Sequence, residues 1–320
     1  LMATTKISDI IEPEVFAAYV REAVIEKSAL IRSGIVTQSE QFNSLVSGGG
    51  RTLNLPFWRR IGGDSEILSD QRSLTPDKIG TAAQIATLHL RGKAWGANEL
   101  ASAIAGSSAV DAIASMIAEW WDRQEQKILI ATLTGAFAAA SMSNHVWDKS
   151  AEAISKTMTL DAKQLLGDAS DQLAAMFMHS AVYTDLQKQD LIDYVVPSDG
   201  GKPSPFYQGY STVIDDTMPS TGTGADRVFD TYLMASGVIG RGDVTPVDLT
   251  PVETDRDSLA GEDYLINRRA FTLHPQGLAW IGNPADTTAS NTELTTGTNW
   301  ERVADDKHIG MVVMRHKISA

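Results

Sequence analysis

Apolar residues recur at steps of three and four from Ser107 to Ala140, at Val110, Ile113, Ile117, Trp120, Ile128 and Ala131. This spacing predicts one long helix with a single buried stripe. Ser107 or Ser108 can cap it, and Asp111 falls in the first turn, where a carboxylate suits the positive end of the helix dipole. Gln124 is the one polar interruption, and Glu119 precedes Arg123 by four residues, the favourable order for an ion pair on the outer face. Roughly thirty residues at 1.5 Å each span about 45 Å, longer than a compact domain of this size needs. The helix therefore reads as a strut on which smaller elements lean. Its Trp120–Trp121 pair reads as core or subunit contact rather than as a ligand platform.

A second helical pattern covers residues 12–33, with Pro13 in its first turn and Gly34 at its end. Val15, Phe16, Tyr19, Val20, Ala23, Val24, Leu30 and Ile31 share its apolar face. It stands at the terminus, before a stretch without periodicity (35–50) that ends in Gly48-Gly49-Gly50, and can pack on a neighbouring chain as readily as on its own. Alternation returns at 51–58 and again at 82–94, two strands joined by the polar stretch Arg59–Thr81. An excursion of about twenty residues without a core of its own is unusual inside a compact domain and makes sense if the hairpin lies across another subunit. Trp58, Arg59 and Arg60 at its base fit such a contact, because aromatic residues and Arg are enriched at interfaces.

After the long helix, residues 141–158 read as polar and irregular, and 159–177 as a helix whose end, Met176–His179, can instead be a short strand. Ser180 is placed to cap a further short helix, 197–205 is a loop by its Pro and Gly content, and Tyr210–Asp215 and Val228–Ala235 alternate as strands. Together these form a small α/β block inserted into the rest. Residues 236–262 read as loop-rich, 263–274 as a long strand, 284–298 as a Thr/Asn/Ser-rich surface loop, and 300–303 with 308–318 as the closing strand, returning to the sheet around the long helix.

Composition narrows the function more by exclusion than by signature. The chain has 320 residues and 43% hydrophobic content, enough for a sizeable core. A net charge of −13 argues against tight sequence-independent nucleic-acid binding, which needs a Lys/Arg surface. The absence of cysteine excludes disulfides and thiolate metal sites. No run of 18 apolar residues spans a membrane and no signal pattern opens the chain, so a soluble protein made in the cytoplasm is expected, with Met2 as its native start. His89, His145, His179, His274, His308 and His316 are dispersed without metal-ligand spacing, and His308 and His316 are expected on one face of the last strand. Asp215 and Asp216 are adjacent, and neighbours on a strand point to opposite faces, so the pair is a poor acid/base dyad and reads as ending the strand at a turn. The glycine triplet lacks the Lys-Ser/Thr ending of a phosphate loop and reads as a hinge, and Arg241-Gly242-Asp243 is a tripeptide of the kind chance supplies. No catalytic, cofactor or metal residue is assigned, and the protein is read as not an enzyme.

The order of parts is similar to that of tailed-phage major capsid (coat) proteins of the Hong Kong 97 type. FMHSAVYTDLQKQDLI, VIDDTMP, RRAFTLHPQGLAW and NWERVADDKHIGMVVMRHK resemble stretches of phage coat proteins over about the last 150 residues, while the first 150 resemble the family in layout. The resemblance implies an α+β fold: residues 1–50 as N-arm, 51–94 as the E-loop hairpin, 95–158 as P-domain with the spine helix 107–140, 159–262 mainly as A-domain, and 263–320 as strands completing the A- and P-domains. It implies a homo-oligomer of pentamers and hexamers in the icosahedral shell of a virion. That shell encloses double-stranded DNA without specific binding, works with a separate scaffolding protein and a portal, and is synthesised in the host cytoplasm. Phe16, Tyr19, Trp58, Arg59 and Arg60 are the expected intersubunit contacts. Some members cross-link Lys to a neighbour's Asn; Lys78, Lys93, Asn283, Asn291 and Asn299 do not match that motif. Two other readings stay open: an encapsulin-like cargo compartment, and a soluble α/β enzyme or binding protein in which Arg59–Thr81 is a lid over its own chain.

Overall fold

The structure, a computed structural model, describes residues 29–47, 50–68, 73–100, 103, 109–196, 203–243 and 249–319. The N-terminal helix predicted over 12–33 is described only at its end, α1 (Ala29–Arg32). Residues 35–50 were expected to be irregular, yet they carry β1 (Val36–Gln38) and α2 (Glu40–Ser47). Both are too short to show a period, and tertiary contact fixes them: β1 pairs with a strand two hundred residues later, and Phe42 of α2 is buried with Leu53, Ala86, Leu88 and Ala270. The hairpin follows as β2 (Thr52–Trp58) and β3 (Thr81–Thr87), antiparallel with Thr52 opposite Thr87 and Trp58 opposite Thr81. The single strand expected over 82–94 is two. After Leu88, β4 (His89–Asn98) leaves the hairpin for another sheet.

Helix α3 (Ala109–Ala138) is the long helix. Its burial is not one stripe. Ile113, Ile117 and Trp120 are half-exposed, whereas Trp121, Glu125, Gln126, Ile128, Leu129, Thr132, Leu133, Ala136 and Phe137 are buried, so the second half is enclosed nearly all round. A 3₁₀ turn (Ala140–His145) leads to β5 (Val146–Ala153), where the pattern had suggested no element. The helix expected over 159–177 is three pieces. These are α4 (Lys156–Gln164), a 3₁₀ turn (Gly167–Gln172) and β6 (Leu173–Met178). Ser155 caps α4 by accepting from the Met158 N–H at 3.3 Å, and Gly167 at φ +56° turns the chain out of the helical path. Helix α5 (Ser180–Lys188) is capped by His179, whose Nδ1 accepts from the Ala181 N–H at 3.0 Å, and not by Ser180.

The remaining elements are β7 (Asp193–Val195), β8 (Ser204–Tyr207), β9 (Tyr210–Ile214), β10 (Ser220–Thr221), β11 (Val228–Ala235), β12 (Ile239–Asp243), β13 (Val252–Asp257), β14 (Glu262–Pro275), β15 (Leu278–Trp280), α6 (Asn291–Leu294), β16 (Trp300–Arg302) and β17 (Met311–Lys317). The expected loops at 236–262 and 284–298 thus contain β12, β13 and α6. His308 ends a 3₁₀ turn (Asp306–His308) and is not on the strand that carries His316.

Two large sheets flank α3. One has eight strands, β5-β17-β11-β6-β9-β8-β7 with β10 beside β11. The side chains of its central strands alternate between two cores. Ala175, Phe177, Tyr232, Met234, Met311 and Val313 meet Ile128, Leu129, Leu133 and Phe137 of α3, while Met176, Met178, Leu233, Val312 and Met314 meet Met158 and Ala162 of α4 and Val182 and Leu186 of α5. Burial on both faces explains the unbroken apolar runs AAMFM and MVVM. The other sheet has five strands built on β14, which pairs along one edge with β4 and along the other with β13 and then β12. Segment 284–300 closes the C-terminal half of α3. A Cβ on Gly135 would come within 1.9 Å of the Leu294 carbonyl oxygen, so only glycine admits α6 at this distance. There Ser290 and Glu293 form a capping box, and Trp300 donates its indole N–H to Leu294 O at 2.9 Å.

Candidate functional site

The hairpin connection is exposed at every described residue from Trp58 to Thr81. Beyond Trp58 and Thr81 the described residues of the connection form no helix or strand. Arg59 N–H donates to Gly80 O at 2.9 Å, and Glu66 accepts from Thr75 N–H at 3.2 Å across the loop. Its apolar side chains have no interior to enter: Trp58 is 72% exposed and Ile67 91%, and Ile61, Leu68, Leu74 and Ile79 are also exposed. Five aliphatic side chains and an indole left in water on one projection represent several kcal/mol of unrealised burial, at roughly 1.5–3 kcal/mol for each side chain fully covered. A second exposed apolar set, Tyr194, Val195 and Val196, lies at edge strand β7 of the eight-stranded sheet. An uncovered strand edge with apolar residues is a place for another chain to pair.

Among the expected contact residues, Trp58, Arg59 and Arg60 come together at the root of this projection and are exposed. Phe16 and Tyr19 lie outside the described residues.

Beneath the surface, α3 is locked to the five-stranded sheet by charges that periodicity did not single out. Glu125, its side chain 3% exposed, faces Arg269 at 2.8 Å and Arg241 at 3.1 Å, and both guanidinium groups also reach Asp243, at 2.6 and 2.9 Å. Burial pushes the Glu125 carboxyl upward, and the two arginines pull against it. Arg269 also lies over the Trp121 ring, and the Trp121 indole N–H donates to Asn267 Oδ1 at 2.6 Å. Arg241 of the RGD tripeptide is therefore bound internally. The available signal was a lone Glu between Trp121 and Leu129, and an Arg pair, Arg268-Arg269, at the start of the apolar half of β14.

The histidines and the adjacent aspartates serve the fold. His89, His145, His274 and His316 are fully buried. His145 is within hydrogen-bonding distance of Met311 O, and His316 bonds Thr231 Oγ1 at 2.8 Å. Asp215 accepts from Gln126 Nε2 at 2.6 Å and from the Ala29 N–H at 3.3 Å, tying the N-terminal segment to α3, while Asp216 accepts from the Ser180 N–H across the strand. Both aspartates lie past the end of β9, Asp216 in a turn, so they end the strand and do not form a dyad on it. Among the described residues no group of three or more His, Asp or Glu is placed to hold a metal, and no helix is long and apolar enough to cross a membrane.

Over its full length the chain is 40% identical to the major capsid protein of Bacillus phage SPP1, in an alignment of 326 residues covering all of both chains. The chain belongs to the tailed-phage major capsid protein family. No family model matches it. Solved capsid structures share its fold at low identity: the Cyanophage Pam1 capsid asymmetric unit (TM-score 0.63, 11% identity, 99% of each chain), the capsid of Ralstonia phage GP4 (0.63, 8%, 96% of each) and the head of Helicobacter pylori bacteriophage KHP40 (0.60, 8%, 100% of this chain and 98% of that one). The capsid protein has the Hong Kong 97-type α+β fold, and its role is that of a structural shell protein. Family membership selects the viral shell over the cargo compartment and the soluble enzyme.

Proposed function

We propose that this capsid protein forms pentamers and hexamers of an icosahedral head by laying its hairpin across a neighbouring copy, and that its role is association without a catalytic step. The observation that carries this reading is the projection from Trp58 to Thr81, which exposes its apolar side chains and has no interior of its own. In this reading residues 1–50 are the N-arm, 51–94 the E-loop, 95–158 the P-domain around α3, 159–262 mainly the A-domain, and 263–320 the strands completing both. Phe16, Tyr19, Trp58, Arg59 and Arg60 contact neighbours. Many modest interfaces add to a stable shell because each subunit is held by several at once. The acidic balance lets the shell enclose DNA without adhering to it. A separate scaffolding protein directs assembly, a portal admits the DNA, and synthesis takes place in the host cytoplasm.

Limited proteolysis of free and assembled protein tests the hairpin's part. Cleavage of free subunits is expected within residues 59–80 and is lost on assembly. Equal protection of this stretch in both states would assign the hairpin to its own chain and sink the proposal.

A further inference from the structure

The two ends of β14 carry surfaces of opposite character. At one end, the turn between β13 and β14 presents Leu259, 99% exposed. Asp257 Oδ1 accepts from the Leu259 and Ala260 N–H groups at 3.0 and 3.3 Å and holds the turn in shape. Asp255 and Asp257 precede it on β13, and the nearby cation Arg256 is already engaged by Glu99 and Asp263. The turn is an apolar tip in an acidic setting.

At the other end, where Pro275 passes into Gln276, a cleft of about 590 Å³ opens between the hairpin root and the body. Trp58, Arg59 and Arg60 form one wall; Ala304, Asp305 and His308 form part of the other. The lining is mixed, with an indole to cover an aliphatic side chain and two arginines against one acidic residue. Glu262 and Pro275 are separated by thirteen steps of extended chain, about 44 Å at 3.4 Å each. A copy cannot place its own turn in its own cleft. A stiff element with complementary surfaces at opposite ends makes a head-to-tail contact, which closes into rings or propagates.

We infer that Leu259 of one copy seats in the Trp58–Arg59–Arg60 cleft of another, with Asp255 and Asp257 facing the two arginines. This rests on the shell reading, names the partner of the hairpin root as the β13–β14 turn of a second copy, and makes the contact salt-dependent.

The chain has no cysteine, so two labels at exposed positions are unambiguous. Chains carrying Ser258→Cys, beside Leu259, and chains carrying His308→Cys, on the far wall of the cleft, are mixed as full-length protein and treated with a short bismaleimide, and the same samples are imaged by electron microscopy. A covalent heterodimer that neither variant forms alone is the expected product. Adding Arg59→Glu and Arg60→Glu to the His308→Cys chain should lower its yield about tenfold. Shells without the heterodimer would overturn the docking and leave the shell reading intact. Heterodimer without shells would support the docking and count against the shell. Neither product would remove both, and a yield indifferent to the arginine reversals would overturn the charge pairing.

Discussion

Glu125 is held between two guanidinium groups, and removing it leaves Arg241 and Arg269 facing each other with Asp243 alone to divide between them. Breaking a buried ion pair from one side costs about 3 kcal/mol. Glu125→Ala is therefore expected to lower the urea midpoint of the free subunit by that equivalent, with Glu125→Gln losing less; an unchanged midpoint would show that the network holds nothing. The buried histidines set the acid limit. Burial lowers the imidazole of His89 from 6.5 to about 3, and those of His274 and His316 to about 4. Depressed folded values mean that the unfolded chain binds more protons below pH 6.5, so this stability is complete above 6.5 and is lost as pH falls toward 4. Each group withdraws up to about 1.4 kcal/mol per pH unit in that window. Denaturation midpoints at pH 7 and pH 5 should differ accordingly, and His89→Phe should flatten the slope by one proton. A slope unchanged in that variant would show that His89 titrates normally. These pairings were not legible beforehand, because Arg241 lies 116 residues from Glu125, Thr231 85 from His316 and Met311 166 from His145, and spacing rules see only neighbours.

Among elements, α3 was found by its period, but its surroundings were not. A stripe at Ile113, Ile117 and Trp120 predicted one buried face, whereas sheets on both sides and α6 enclose the second half, where Thr132 and Gln126 are buried with the aliphatics. Periodicity marks a helix with one wet side, and a helix between layers loses the contrast that the period measures. The same limit hid β5 and α6: four residues of helix carry no period and are fixed by contact with α3, and β5 is fixed by its parallel pairing with β17. The long hairpin, the strand 262–275 and strands 210–214 and 228–235 were legible because alternation and turn residues are local signals. Gly135 tests the α3–α6 contact. Gly135→Ala should favour the isolated helix yet destabilise the subunit by about 2 kcal/mol through overpacking against Leu294 O. A variant with a midpoint at or above the original would mean that α6 can withdraw freely.

At the scale of the molecule, the described chain keeps three apolar cores and sends a hairpin, a sheet edge and a turn out of them with apolar side chains uncovered. The first of these was readable as a stretch without a core; the other two arise from topology, since only the folded order of strands shows which edge stays open and which turn stands at the end of β14. These surfaces are explained together if the functional unit is many copies. The direct measurement is electron microscopy with light scattering of purified full-length protein, with and without the products of neighbouring genes, beside a variant carrying Ile67→Ser and Leu68→Ser on the hairpin. Closed shells from the unaltered chain and folded, unassembled subunits from the variant are the predicted result. Monodisperse monomers or dimers from the unaltered chain under every condition, or shells formed equally well by the variant, would contradict an assembly built on the hairpin.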